Sequence, residues 1–312
     1  MNRQSTTSTL ILLLISVFCW GSVFPFSKPV LESMSQQSLV IWRFSIASLC
    51  LIIYLLVKRQ PWPHLRFGQY LWLAFISVLG VGGFNLLLFT GIKHTAATNG
   101  ALVMALSPLV TALMVAGLAR KWISRAQSFS LLVGLFGVLL VITNGSWQRL
   151  MQFQFNQGDI TVIAAMLLWS AYTTASQKVT SWLPVIPFTL ISLLTGDIFI
   201  LIASAIQGDI HPIQELINLS GGGIVSVVYI GIFGTVVGYL FFLNGVQKLG
   251  SATASLFFNF IPVFAALTAM MMGQSVTPIQ LSGMAIVLIG LSLPPLLRTM
   301  KQRRTNRLCE VN

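Results

Sequence analysis

Residues 185–206 read VIPFTLISLLTGDIFILIASAI, and Asp197 is the only charged residue among them. A helix crosses the hydrocarbon core of a bilayer with about 20 predominantly apolar residues. The other stretches of comparable length and composition are 9–28, 36–57, 70–90, 95–118, 127–144, 159–178, 222–244, 251–273 and 279–297. Together they predict an all-α polytopic membrane protein with ten transmembrane helices.

The overall composition supports a membrane protein over a soluble one. Of the 312 residues, 55% are hydrophobic and 8% are charged, and the mean hydropathy is +0.86, whereas soluble domains carry roughly a quarter charged residues. The net charge of +12 could suggest nucleic-acid binding, but the basic residues lie in short tracts between apolar runs. We therefore expect the lipid bilayer, and no nucleic acid, as a partner.

Lysine and arginine are unevenly distributed between the two sides that this topology defines. With the N-terminus inside, the cytoplasmic segments contain 14 of the 18 basic residues and the outer segments contain 3, while Arg43 lies within a span. Positively charged loops favour the cytoplasmic side. Both termini are therefore expected in the cytoplasm.

The chain also resembles itself at a long offset. A shift of 154 residues superposes three glycine or proline pairs, Gly80 on Gly234, Gly91 on Gly245 and Pro108 on Pro262, and a shift of 149 residues brings Trp20 onto Trp169. A unit of five spans is odd in number, so its second copy enters the membrane from the opposite side. The pattern predicts two inverted five-helix repeats, 1–146 and 158–298, and a basic cytoplasmic tail, 299–312.

Pro108 and Pro262 fall well inside the fourth and ninth predicted spans. A proline inside a helix removes one backbone hydrogen bond and bends the helix. Kinks at equivalent positions of two repeats are typical of a binding cavity near the midplane, although a purely structural kink would give the same pattern.

The sequence resembles the EamA-type members of the drug/metabolite transporter superfamily. The resemblance rests on the Pro108 and Pro262 helices and on short motifs, which are Trp20-Gly21 with Lys28, Trp42-Arg43-Phe44, Ser124 to Gln127 followed by Gly137, and Thr277 to Gln280 followed by Gly283 and Gly290. Lys121 and Gln274 stand where the family commonly has a glutamate, so no role of that glutamate is carried over. The resemblance implies an inner-membrane carrier that exports or exchanges amino acids, related metabolites or drugs.

Two charged residues lie at hydrocarbon depth, where each costs about 2.5–3.5 kcal/mol on insertion scales. Arg43 either binds a substrate carboxylate with its planar fork or extends to the outer surface. Asp197 is the only acid that does not fall in a loop, in a tail or at the edge of a span. It is the candidate for carrying a coupling proton, and a structural hydrogen bond or ion pair is the alternative.

Further candidates for substrate contact are uncharged. Trp20 and Trp169 occupy equivalent positions deep in the first helix of each repeat, where they line a cavity or simply pack. The remaining candidates are polar residues within spans, namely Asn85, Tyr172, Tyr239 and Asn259. Any of these could instead bridge helices.

These features favour a secondary transporter that performs efflux or exchange of amino acids or related small metabolites by alternating access. A passive channel and a non-transporting membrane scaffold remain alternatives, and an intramembrane enzyme fits less well because no catalytic constellation is visible. His64, His94 and His211 fall in predicted loops, so neither a cofactor nor a metal site is expected. A homodimer is left open.

The topology gives a direct prediction. Reporter fusions after Arg66, Arg125 and Arg304 should be cytoplasmic, and a fusion within 208–219 should be external, because the basic residues face the cytoplasm. Alkaline phosphatase and fluorescent-protein fusions report the two sides oppositely. A cytoplasmic 208–219 segment would contradict the inverted ten-span topology.

Overall fold

The structure is a computed structural model that describes residues 3–94, 97–143, 145–146, 148, 151, 156–208, 210–273 and 277–287. Every regular element in these ranges is helical. The N-terminal helices are α1 (Arg3–Val30), α2 (Gln36–Val57), α3 (Phe67–Ser77), α4 (Phe84–His94), α5 (Ala97–Met104), α6 (Ser107–Ala119) and α7 (Arg125–Thr143). A π-helical segment, π1 (Val78–Gly83), joins α3 to α4 without a break.

The C-terminal helices follow a similar order. They are α8 (Gln157–Val179), α9 (Val185–Gln207), α10 (Pro212–Ile217), α11 (Gly221–Tyr229), α12 (Gly238–Leu249), α13 (Ser251–Ser255), α14 (Ile261–Met271) and α15 (Pro278–Val287). A second π-helical segment, π2 (Ile230–Val237), joins α11 to α12, and a 3-10 segment (Leu256–Phe260) joins α13 to α14.

Among the described residues, six helical stretches are long and apolar enough to cross a membrane, so the chain is a multi-pass membrane protein. They are Thr6–Val30, Gln36–Val57, Phe67–Ile92, Val185–Gln207, Gly221–Leu249 and Ser251–Met271. Shorter apolar helices cover Ser107–Ala119, Gln127–Thr143 and Pro278–Val287. Residues 288–297 of the last predicted span, and the tail 299–312, lie outside the described residues.

The α-helix is interrupted just before Pro108 and just before Pro262, where the sequence predicts bends. α5 ends at Met104 and α6 restarts at Ser107, with Pro108 in its first turn. The 3-10 segment likewise precedes Ile261, and Pro262 lies in the first turn of α14. The first turn is where a proline costs least, because its missing N–H would have no intrahelical acceptor there.

The irregular segments recur at a constant offset. Ser107 and Ile261, where the two helices restart, are 154 residues apart. Moving π1 by the same 154 residues places it at 232–237, within π2. The departures from α-helical geometry therefore recur 154 residues apart, which is the same offset that separates the glycine and proline pairs in the sequence.

The N-terminal and C-terminal helices pack against one another and do not form separate lobes. α1 packs against α12 and α14, α2 packs against α9 and π2, and α4 packs against α8. The largest buried cluster combines side chains from both sets of helices, such as Phe44, Leu73, Phe188 and Phe242.

Pairs of glycines let two of these helix contacts become backbone contacts. A Cβ atom on Gly91 would lie 2.9 Å from the carbonyl oxygen of Gly158, and one on Gly158 would lie 2.7 Å from that of Gly91. Likewise, a Cβ atom on Gly137 would lie 2.8 Å from the carbonyl oxygen of Gly283, and one on Gly283 would lie 2.9 Å from that of Gly137. Close approach through small residues is a common way in which helices associate in lipid.

The glycine contacts predict a stability difference. Gly91→Ala should lower the free energy of unfolding by about 1–3 kcal/mol, since its methyl group would overlap the backbone of α8. Gly117→Ala is the matched control, because a Cβ there meets nothing within 4 Å. Unfolding of both variants in one detergent would test this, and equal stabilities would contradict the proposed close contact.

Candidate functional site

An aromatic cluster occupies the centre of the helix bundle. The ring centroids of Trp20 on α1 and Trp169 on α8 are 6.0 Å apart, edge to face. Tyr239 on α12 lies 5.8 Å from Trp20 and 6.0 Å from Trp169. We use the name aromatic cluster for these three residues together with Tyr172, Phe242 and Phe258, which contact Trp169 at 5.8, 6.2 and 5.8 Å.

The π-helical segments and their glycines make room for these rings. A Cβ atom on Gly238, directly after π2, would lie 2.6 Å from Nε1 of Trp20. A Cβ on Gly80, within π1, would overlap the side chain of Tyr172. π-helical insertions are frequent at functional sites because they redirect the residues that follow. Here they bring backbone close to the aromatic side chains from both parts of the chain.

Arg43 reaches the aromatic cluster from α2. Its guanidinium carbon lies 4.9 Å from the centroid of the Phe44 ring, and the group is close enough to Tyr239 for the two to interact electrostatically. Nε of Arg43 is buried and has no hydrogen-bond partner. The side chain thus points towards Tyr239, and one of its donors remains available to another acceptor.

Asp197 is buried in α9, with 5% of its surface exposed. Ser45 on α2 donates a hydrogen bond of 2.8 Å to Oδ2, whereas Oδ1 is buried without a partner. Residues two apart on a helix point about 200° away from each other, which explains why Ser45 faces Asp197 while Arg43 faces Tyr239. In this structure Asp197 is therefore hydrogen-bonded to Ser45 and is not paired with Arg43.

Tyr172 belongs to a buried hydroxyl network. Its hydroxyl donates to Oγ of Ser192 at 3.1 Å, and Ser77 donates to the same oxygen at 3.0 Å. The network ties α8 to α9 and α3. Only 2% of the Tyr172 surface is exposed, so this residue joins the aromatic cluster through its ring and the hydroxyl network through its oxygen.

The two asparagine candidates make their contacts elsewhere. Asn85 donates a hydrogen bond of 2.7 Å to the carbonyl of Val81 and so satisfies a backbone group of π1. Asn259 packs against Gly134 of α7 and lines a small cavity of ≈ 150 Å³ beside Pro108. A substrate role for Asn85 and Asn259 stays a prediction that their present contacts do not support.

A larger cavity of ≈ 650 Å³ lies at one end of the bundle. Its polar lining comes from Gln60, Thr180, Ser181, Asn244 and Gln247. It extends along α12 to Leu240, the neighbour of Tyr239. Sequence reasoning missed most of these residues because uncharged polar side chains at span ends are too common to be singled out.

The described residues contain no group of three or more histidine, cysteine, aspartate or glutamate side chains that could hold a metal ion. The ionisable groups at the centre are instead Arg43, Tyr172, Tyr239 and Asp197. Neither of the two cavities described above is lined by these four side chains, so their role in binding stays a prediction.

Comparison with known proteins gives the class of this bundle as a membrane transporter. The model of the EamA-like transporter family matches residues 7–143 and again residues 156–293. The chain belongs to the EamA-like transporter family.

Relatives over most of the chain are also called transporters. YyaM of Bacillus subtilis (strain 168) is 27% identical over 90% of this chain and 91% of its own. YhbE, described as an inner membrane transporter of Escherichia coli (strain K12), is 24% identical, with 84% and 80% covered. The chain also shares its fold with a crystal structure at a TM-score of 0.71 and 19% identity, covering 93% of this chain and 97% of that one.

Proposed function

We propose that the chain is a secondary transporter that moves an amino acid or a related small metabolite by efflux or exchange. It works by alternating access of a central site between the two sides of the inner membrane. The observation that carries the proposal is that Arg43 and the tryptophan pair share Tyr239 as a neighbour, on helices from both parts of the chain.

Internal symmetry supports alternating access. We propose ten transmembrane helices in two inverted five-helix repeats, 1–146 and 158–298, with both termini in the cytoplasm. The common offset of the π-helical segments and helix restarts supports this arrangement, as does the double match of the family model. Inverted repeats allow a carrier to open to either side by related movements around one fixed site.

The site chemistry supports a substrate with an anionic group and an apolar part. The free Nε donor of Arg43 can bind one carboxylate oxygen, and its planar guanidinium favours carboxylates over less directional anions. The faces and edges of Trp20 and Trp169 can enclose an apolar side chain. A zwitterionic or anionic metabolite fits both requirements.

The principal alternative is a passive channel. A channel needs a continuous polar path, whereas the aromatic cluster fills the centre of the bundle between α1, α8 and α12. The rings would have to move for anything to pass. This arrangement favours a carrier with a gated site over an open pore.

Transport can be tested by a metabolite-wide uptake and efflux screen in inside-out vesicles that contain the chain, against vesicles without it. We expect saturable flux of a carboxylate-bearing metabolite, and Arg43→Gln should reduce its kcat/KM about tenfold or more by removing a charge-assisted hydrogen bond. Arg125→Gln is the control, because Arg125 is exposed at the start of α7. Flux equal to that of empty vesicles for every metabolite would refute transport.

A second prediction concerns the driving force. If protons drive transport, Asp197→Asn should abolish flux driven by a pH gradient but preserve substrate exchange, because the amide has nearly the same volume and cannot titrate. Ser45→Ala is the matched control, since it removes the hydrogen bond to Asp197 but keeps the carboxyl group. Wild-type gradient dependence in Asp197→Asn would assign the carboxyl group a structural role only.

A further inference from the structure

One end of the bundle is closed by contacts between segments that are distant in sequence. Ser35 precedes α2, and Glu215 lies on the short helix α10. The backbone N–H of Ser35 donates a hydrogen bond of 2.6 Å to Oε2 of Glu215, and the Ser35 hydroxyl donates one of 3.3 Å to Oε1. The N–H of His211 also donates to Oε1, at 3.3 Å. A carboxylate of one proposed repeat thus occupies the N-terminus of a helix of the other.

The charge of Glu215 strengthens these contacts. Partial burial alone would raise the pKa of its carboxyl group, but the hydrogen bonds from Ser35 and His211, together with the nearby Ser38 hydroxyl, outweigh burial and lower the pKa below its ordinary value. The group is therefore ionised at neutral pH. Its negative charge also complements the positive end of the α2 helix dipole.

Further contacts close the same end. Nε1 of Trp42 donates to the carbonyl of Pro212 at 2.9 Å, and Gln37 donates to the side chain of Gln207 at 3.4 Å. Beneath them lies a buried apolar cluster composed of Val30, Met34, Leu39, Leu219, Val227 and Ile230. The ≈ 650 Å³ cavity lies among Gln60, Thr180 and Gln247, which the proposed topology places on the cytoplasmic side.

We propose that Glu215 is the latch of the outer gate, which holds the external end of the transporter shut while the cytoplasmic end is accessible. This inference rests on the proposed function, because a gate has meaning only if the site changes sides. Release of the carboxylate from the N-terminus of α2 then lets the external end separate, and rebinding closes it.

The latch can be tested by thiol labelling, which needs no substrate. Cys19, Cys50 and Cys309 are replaced by alanine, and single cysteines are introduced at Val227, buried beneath the latch, or at Leu12, which lines the cytoplasmic cavity. Glu215→Gln should raise labelling at position 227 from outside about tenfold, the size expected for losing hydrogen bonds to a charged group. Labelling at position 12 from inside should fall.

Matched variants separate the latch from other effects. Glu32→Gln removes the same charge from the exposed turn after α1 and should change neither rate. A cysteine at Leu216 on α10 reports local loosening, so increased labelling there, with positions 227 and 12 unchanged, would overturn the latch. If Glu215→Gln fails to fold, Glu215→Asp serves, since its shorter side chain should give a smaller change of the same sign.

The outcomes also distinguish this inference from the proposed function. Reciprocal labelling changes without flux of any metabolite would show that Glu215 controls the exposure of the two ends, but would refute transport. Saturable flux with unchanged labelling in Glu215→Gln would support transport and refute the latch.

Discussion

Hydrocarbon offers no hydrogen bonds, so every polar group within it must find a partner inside the protein. Many hydroxyl groups in the described part of the bundle do so by donating to the carbonyl four residues earlier, as in Thr90, Thr143, Thr174, Ser176, Thr180, Thr189, Thr195 and Thr268. Carbonyl groups of the π-helical segments are also bonded by side chains. Asn85 donates to the Val81 carbonyl of π1, and Thr235 donates to the Ile230 carbonyl of π2 at 3.1 Å. Irregular backbone is thus placed where side chains can satisfy it.

Nine of the described residues depart from this rule because each keeps a buried polar atom without a partner, and the charged ones among them are Arg43 and Asp197. Such groups are costly, and a fold selected only for stability would pair them with each other. Here Tyr239 and Ser45 hold them on different sides of α2. Under the proposed function, the unsatisfied atoms would interact with a substrate or a proton once the site opens.

The sequence was a good guide to the helices and a weaker guide to their contacts. The predicted stretch 36–57 coincides with α2, and 185–206 ends one residue before α9 does, because length and hydropathy alone define a span. The internal offset led to Trp20 and Trp169, which prove to be neighbours. The sequence could not predict the contacts of Ser45 and Ser192 or the partners of Asn85 and Asn259. Which group a short polar side chain contacts depends on how its helix is rotated and packed against its neighbours.

The aromatic cluster has a consequence for how a ligand would lie. Trp20 and Trp169 come from equivalent positions and contact each other edge to face, with ring centroids 6.0 Å apart. In the proposed inverted repeats, the two rings would present related walls to a ligand. Arg43 has no cationic counterpart at the offset of 149 residues, where Ser192 stands. Under the proposed function, the single guanidinium would distinguish the two related walls, so that a carboxylate-bearing ligand would bind in one orientation.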